Sequence, residues 1–420
     1  VGLKEDIDKL DKMQNSSTVT DLPIQGFKLD EKGSIKSNSI VNVELILQRD
    51  PLLAHKIAFN EFAYEIELLH DIPELMLEKG VIDDDYPPAI LSYIEKKYNT
   101  LFTDKLLGSA LINVARRNVF NPVLDYFEKC LKNWDHNQRV GTFLSNYLGV
   151  EKSKVTALQT NLFFVGAVAK SYNPEMKFDY VLDLVGGQGA GKTTLLKKIS
   201  NGYYTDQFTD FENKDNYANM LRALIINDDE MTATNNSSFE ILKKFISSEI
   251  LEYRKPYGHS TVRRAKNFVM ARTTNEVTYL KDKTGERRFL PNLVNKSLQK
   301  KSPLTNLTQE YIDQFWGECV ALYNAGFNFM LDKNQEAMLS EHRKEFMYID
   351  AEEDAIDECL QGWNGNFITS NDIAINIGED NLVHNRKLAK KIKYVMDNHH
   401  QWTAGFKKIS GIAQRGYRRK

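Results

Sequence analysis

The sequence predicts an α/β protein with a parallel-sheet core, a mainly helical region before it and a small basic domain after it. Three observations carry that reading. Short apolar runs stopped by glycine or acid, "YVLDLVGG" (180–187), "RALIINDDE" (222–230) and "NFVMARTTN" (267–275), are separated by stretches of helical period. Earlier, from about residue 26 to 150, apolar positions recur at spacings of three and four. Charge is also uneven. The 420 residues sum to −2, but residues 361–420 hold eleven Lys or Arg against four Asp or Glu, which is +7 and leaves −9 on the rest. A basic terminal module on a mildly acidic body points to a local contact with a polyanion.

Taken in order, residues 1–25 read as a flexible N-terminus, with "QNSSTVTD" as polar linker. Residues 26–150 are expected to be a mainly helical, oligomerising region. "DYPPAILSYIEKKY" opens a helix with prolines and sets Ile90, Leu91, Ile94 and Tyr98 on one face. "TDKLLGSALINVARRN" and "NPVLDYFEKCLKNW" continue the pattern. Residues 151–300 form the expected α/β domain. Inside it "SSFEILKKFISSEIL" has a capping-box pattern at Ser237 and Glu240 and an apolar stripe through Phe239, Leu242, Phe245, Ile246 and Ile250. Residues 301–360 read as a helical linker or lid, and 361–420 as a separate domain. Cys130, Cys319 and Cys359 form no CxxC pair and are expected to be buried free thiols, with no structural zinc. No apolar run reaches eighteen residues and the N-terminal stretch is polar, so neither a membrane span nor a secretory leader is expected.

The segment Gly186-Gly187-Gln188-Gly189-Ala190-Gly191-Lys192-Thr193-Thr194 fits GxxxxGK[ST] in full, between a strand and a helix. Such glycines let backbone amides turn inward around phosphates at the positive end of a helix. Lys192 would reach the β- and γ-phosphates, and the Thr193 hydroxyl would ligate Mg²⁺. The pattern therefore predicts nucleoside triphosphate binding. A metal-bound phosphate site needs an acidic strand end beside the loop, and "LIINDDE" supplies Asp228, Asp229 and Glu230. Asp229 is favoured for the metal, with Asp228 as the alternative, and Glu230 for orienting and deprotonating water. Asn275, ending the third apolar run, suits a sensor of the γ-phosphate or the attacking water. The paired Arg287 and Arg288 in "TGERRFLP" suit an arginine finger inserted into a neighbouring subunit, which requires a head-to-tail assembly.

Taken together, "RDPLLAHKIAFNEFAYEIEL", "WDHNQRVGTFLSNYLGV", "GAVAKSYNPEMKFDYVLDLVGGQGAGKTT", "YRKPYG", "YLKDKTGERRFLP" and "RGYRR" resemble the virulence-associated protein E family. These are AAA+ ATPases of bacteriophages and mobile genomic islands, similar in layout to superfamily 3 replicative helicases. The resemblance implies a hexameric, ATP- and Mg²⁺-dependent DNA helicase and replication initiator in the cytoplasm of a bacterial host. Primase or other replication proteins would be its further partners. It also puts the finger at Arg287 or Arg288. One departure is plain: the family usually has Glu where this chain has Asn227, with a second Glu three residues on that matches Glu230. In superfamily 3 helicases a hairpin before the sensor strand points basic groups into the pore. The matching interval, "YRKPYGHSTVRRAKN", offers Lys255, His259, Arg263, Arg264 and Lys266 for contact with a single strand.

The basic tail reads as a winged helix. "FITSNDIAINIG" is a turn into a short helix capped by Thr369 or Ser370. "NRKLAKKIKYVMDNHHQW" is amphipathic, with Leu388, Ile392, Val395 and Met396 inward and Lys387, Lys390 and Lys391 among the outward cations. "WTAGFKKISGIAQRGYRRK" reads as a two-stranded wing whose Arg415, Arg418 and Arg419 would touch duplex origin DNA.

Overall fold

The structure is a computed structural model that describes residues 24–254, 261–280, 286–348, 351–379, 382, 384–399, 401–409 and 412–420. The chain divides into two compact units: residues 1–275 with 287–336, and residues 276–286 with 337–420. The segment 301–360, expected as one lid, is therefore shared between them.

The first unit opens with α1 (Ile40–Arg49), β1 (Ile57–Asn60), β2 (Glu65–Leu68), β3 (Gly80–Val81), α2 (Tyr86–Tyr98), α3 (Asp104–Arg116) and β4 (Val119–Phe120). The four strands make one sheet in the order β3-β2-β1-β4. The region is mainly helical, as expected, but it also holds this small sheet, which the sequence did not announce. Strands of two to four residues, one of them the charged "EIEL", are too short to show a period against the helices around them. The helices still supply most of the apolar core: Val43, Ile46, Ile90, Ile94, Leu107 and Leu111 are all buried.

After α4 (Pro122–Lys132) and α5 (Lys154–Tyr172) comes the sheet that positions the site. Its strands are β5 (Val181–Val185), β6 (Tyr204–Thr205), β7 (Ile225–Asp228), β10 (Val269–Thr274) and β11 (Phe289–Leu293), in the order β11-β5-β10-β7-β6 and all parallel. Every residue of β5, β7 and β10 is buried, as expected for a parallel sheet covered on both faces. On one side α5 is buried along most of its length, and Gly166 is packed so closely that a Cβ there would stand 2.2 Å from the Phe178 ring. Helix α6 (Lys192–Ile199) follows β5 directly, and α7 (Phe239–Ser247) precedes the antiparallel hairpin β8 (Ile250–Arg254) and β9 (Thr261–Ala265). The cap of α7 is Ser238, accepting from the Ile241 amide at 3.3 Å, one residue later than the sequence pattern placed it. Helix α8 (Gln309–Asn324) packs on α4, where the Tyr126 hydroxyl donates to Asp313 at 2.6 Å and Gly317 lies against the Cys130 carbonyl.

The second unit contains α9 (Ala351–Gly362), β12 (Phe367–Ile368), α10 (Ser370–Asn376), α11 (Arg386–Asn398), β13 (Trp402–Ile409) and β14 (Ile412–Arg419). Its antiparallel sheet runs β12-β14-β13. Thr369 and Asp372 complete a capping box at the start of α10. Leu388, Ile392 and Met396 of α11 join Ile356, Leu360, Ile373 and Trp402 in a separate core. Among the described residues no helix is long and apolar enough to cross a membrane.

Candidate functional site

The site lies at the carboxyl edge of the parallel sheet, where ligands of open α/β sheets bind. Strand β5 runs into the glycine loop, and α6 starts at Lys192 immediately after it. Gly191 has φ 85° and Gly186 φ 144°, a backbone region that favours glycine. Space adds a second constraint: a Cβ on Gly186 would meet the Val294 carbonyl at 2.5 Å, and one on Gly191 would meet Pro303 at 2.9 Å.

Lys192 is 6% exposed. Its Nζ donates to the carbonyls of Gly186, of Gly187 at 3.3 Å and of Thr274 at 3.4 Å, and to Asn275 Oδ1 at 3.0 Å. Burial pulls its pKa below the usual lysine value, while Glu230 and Asp229 act in the opposite direction. The other end of the same Asn275 amide donates to Glu230 Oε2 at 2.9 Å. Thr193 Oγ1 donates to Asp229 Oδ1 at 2.8 Å, as does Thr273 Oγ1, and Asn227 Nδ2 reaches that oxygen at 3.1 Å. A hydroxyl and a carboxylate so placed are the hard oxygen donors that suit Mg²⁺. Lys192, Thr193 and Glu230 thus line one cleft of about 580 Å³, with Gln188 to Gly191 and Thr194 along its wall, and Asp229 and Asn275 bond to those three from behind.

The end of β7 separates the two candidate aspartates, Asp228 closing the strand and Asp229 opening a 3-10 turn. Asp229 turns toward the glycine loop, while Asp228 faces the opposite side. Asp228 is 1% exposed and accepts from the amides of Ala233 at 2.7 Å and Thr234 at 2.9 Å and from Thr234 Oγ1 at 2.6 Å. Burial raises its pKa, and those donors oppose the rise. Its oxygens are committed to starting the next helical turn. Glu230 (φ 52°) and Met231 (φ 50°) follow in left-handed backbone. Two such non-glycine residues in succession cost about 1–3 kcal/mol each and typify functional turns. Here they bring the Glu230 amide to Thr273 Oγ1 at 2.9 Å.

Three features of the site were not read from the sequence. Arg272 on β10 forms a bidentate pair with Asp183 on β5, at 2.8 and 2.6 Å, with side chains 2% and 0% exposed. Its guanidinium stacks 4.0 Å from the Phe289 ring centroid and reaches Thr234 Oγ1 at 3.4 Å. The signal was available: a lone charge inside each of the apolar runs "VLDLV" and "VMARTT" needs a buried partner. Thr273, next to Arg272 on the same strand, ties Asp229 to Glu230. A strap, residues 294–304, forms the outer wall of the cleft through Lys296, Gln299, Ser302, Pro303 and Leu304.

The basic groups distribute unevenly. Lys255 and His259 lie outside the described residues. Arg263 is exposed, 3.7 Å from the exposed Glu252. Arg264 and Lys266, expected to face DNA, are spent inside the unit, which corrects that expectation. Arg264 donates to the Phe62 carbonyl at 2.8 Å and the Ala63 carbonyl at 3.4 Å, and burial lowers its pKa. Lys266 caps the end of α7 through the carbonyls of Phe245 and Ile246, at 2.8 and 2.9 Å, and burial pulls its pKa to about 7. Arg288 touches Ser247 Oγ at 3.1 Å and Asp179 at 3.7 Å. Arg287 is exposed on a groove with Tyr180 and Phe329. In the second unit Lys387, Lys390 and Arg415 are exposed. Lys391 pairs with Glu352 at 2.8 Å, Arg418 donates to the Phe406 carbonyl, and Arg419 donates to the Trp363 carbonyl at 2.8 Å.

A buried parallel sheet carrying this edge constellation defines a mixed α/β protein. Residues 127–348 match the virulence-associated protein E-like domain, more than half of the chain, and the chain belongs to that family. No curated protein matches it. Among solved structures, the A form apo structure of the NrS-1 C-terminal region aligns at 14% identity with a TM-score of 0.50, covering 91% of this chain and 100% of that one. A second A form apo structure of that region aligns at 15% identity and a TM-score of 0.45, covering 87% and 96%. At these identities the likeness concerns the fold.

Proposed function

We propose that this chain is an ATP-hydrolysing, ring-forming DNA helicase and replication initiator of a phage or mobile genomic island, with an AAA+ core and a C-terminal winged helix. The observation that carries the reading is the junction of Lys192, Thr193, Asp229, Glu230 and Asn275 at the ends of three adjacent parallel strands. Lys192 and the loop amides hold the triphosphate, and Thr193 with Asp229 holds Mg²⁺, which screens charge on the phosphates. Glu230 orients water and takes its proton. Asn275, touching both Lys192 and Glu230, reports whether the γ-phosphate is in place. Exposed Arg287 serves as the finger toward a neighbouring subunit, while Arg288 is held within its own. Duplex DNA is met by Lys387, Lys390 and Arg415 of the second unit.

The test is strand displacement on forked DNA with wild-type and Lys192→Ala protein. Loss of the buried ammonium is expected to lower hydrolysis and unwinding together by at least about 10³-fold, the scale of lost transition-state charge stabilisation. Unwinding that persists without hydrolysis overturns the reading. A second reading, an ATP-switched origin binder that does not unwind, draws on the burial of Arg264 and Lys266, which removes two cations from the hairpin. It predicts ATP-dependent DNA binding with no displaced strand in the same assay.

A further inference from the structure

The strap that closes the cleft is held along its length to the glycine loop and to the segments that flank it. At one end the Val294 amide donates to the Val185 carbonyl at 2.7 Å, and the Asn295 amide to the Leu148 carbonyl at 3.0 Å. In the middle Gln299 Nε2 donates to the Ala190 carbonyl, inside the loop, at 2.6 Å, and the Lys300 and Lys301 amides both reach the Asn146 carbonyl at 3.0 Å. At the far end Lys198 of α6 donates to the Leu304 carbonyl at 2.6 Å. The packing is tight enough that a Cβ on Gly149 would stand 2.0 Å from the Asn295 carbonyl oxygen. Strap and loop therefore behave as one rigid frame.

One cation rides on that frame above the loop. Lys296 lines the cleft, and its Nζ lies 3.8 Å from where a Cβ on Gly189 would be. The side chain is exposed and, among the described residues, makes no ion pair. Lys192 approaches the same loop from beneath, through the carbonyls of Gly186 and Gly187. The two ammonium groups thus bracket the segment Gly186–Gly191, one buried and one solvated. The cleft's other ionisable groups are anionic: Glu230 lines it and Asp229 sits behind Thr193. A polyphosphate entering here meets those carboxylates, so a single buried ammonium leaves a net repulsion that a second cation offsets.

We propose that Lys296 is a second phosphate-holding residue, supplied by the subunit's own strap, that grips the outer side of the nucleoside triphosphate's phosphate chain while Lys192 grips the inner side. This rests on the nucleotide-binding reading above and adds a residue that GxxxxGK[ST] does not contain. Because the strap is pinned, the backbone that carries Lys296 is already placed beside Gly189, and binding has only the side chain to order. A solvated cation of this kind contributes binding strength that salt screens, in contrast to the dry contact at Lys192. It should also count phosphates. The triphosphate, which presents more charge along the chain, gains more from it than the monophosphate.

The experiment measures binding of a fluorescent ATP analogue, and its displacement by ATP, ADP and AMP, to full-length wild type, Lys296→Met, Lys296→Arg and Lys300→Met at low and high salt. Lys296→Met is expected to weaken ATP about tenfold at low salt and less at high salt. ADP should weaken by a smaller factor and AMP hardly at all. Lys296→Arg should restore most of the loss, and Lys300→Met, which removes an exposed charge from the same strap outside the cleft, should bind as wild type does. Unchanged ATP affinity in Lys296→Met with a binding-competent wild type overturns the inference and leaves the nucleotide reading intact. An equal loss in Lys300→Met also overturns it, since the effect would then belong to net charge. A wild type that binds none of the nucleotides refutes the underlying reading instead. Lys296 is exposed, so equal thermal midpoints confirm that each variant is folded.

Discussion

At the end of β9 and just after it, Arg264 and Lys266 turn their charge onto backbone carbonyls, whereas on α11 and β14 Lys387, Lys390 and Arg415 keep theirs in solvent. Both stretches read alike in sequence, as cations interleaved with apolar residues. The difference comes from what each strand or helix packs against. The hairpin β8–β9 returns its chain over the end of α7 and over residues 62–63, where unpaired carbonyls need donors. Helix α11 buries only the stripe through Leu388, Ile392 and Met396, which leaves its remaining faces wet. Positive charge in a sequence is therefore a supply of donors, and the fold decides whether they serve a ligand or the chain itself.

The contrast can be broken experimentally. The largest effect is expected from Lys387→Gln, Lys390→Gln and Arg415→Gln combined. Duplex affinity should fall on the order of a hundredfold in low salt, with the log–log salt slope flatter by roughly 2 to 3, as for three lost phosphate contacts. Fluorescence anisotropy across a salt series reads both, and unchanged binding would remove the second unit from the DNA-contacting surface. Next comes Arg264→Ala, which leaves the Ala63 carbonyl without its donor and the Phe62 carbonyl with Asn267 alone. It should cost about 2 kcal/mol in chemical denaturation and leave duplex affinity where it was. A loss of affinity with full stability would reverse the assignment.

The smallest effect concerns Lys266. With its folded pKa near 7 and an ordinary lysine value in the unfolded chain, unfolding takes up a proton above pH 7. Stability should therefore rise between pH 7 and 9, by at most about 1.4 kcal/mol per pH unit. Lys266→Met should lack that rise. Parallel pH profiles of the two proteins would mean that the amine is solvated.

What could be read from the sequence follows the range of the forces involved. The glycine loop, "LIINDDE" and Asn275 are local patterns at strand ends, and each is where its strand predicted. What distinguishes Asp228 from Asp229 needed tertiary contacts, since only the fold gives Asp228 to Ala233 and Thr234 and Asp229 to Thr193 and Thr273. The N-terminal sheet was missed because pairs such as Gly80–Val81 gain strand character only from a neighbour distant in sequence. Arg264 and Lys266 were misjudged for the same reason, since their carbonyl partners, at 62–63 for Arg264 and 245–246 for Lys266, are brought to them only by the fold. The strap had no motif at all. Its relation to the loop exists only as close packing and one side-chain bond, Gln299 to Ala190.

The buried pair in the central sheet has one more implication. Arg272 stands directly opposite Asp183 on β5 and directly opposite Asp228 on β7, so the three residues form one rung across three strands. A slip of β10 by a single residue would turn the guanidinium to the wrong side and strand the Asp183 carboxylate in a dry interior. Apolar side chains would tolerate such a misalignment far better than these charges do. The rung thus works as a proofreading device during assembly: it rejects misthreaded sheets and so guarantees that Asn275, three residues beyond Arg272, finishes level with Lys192.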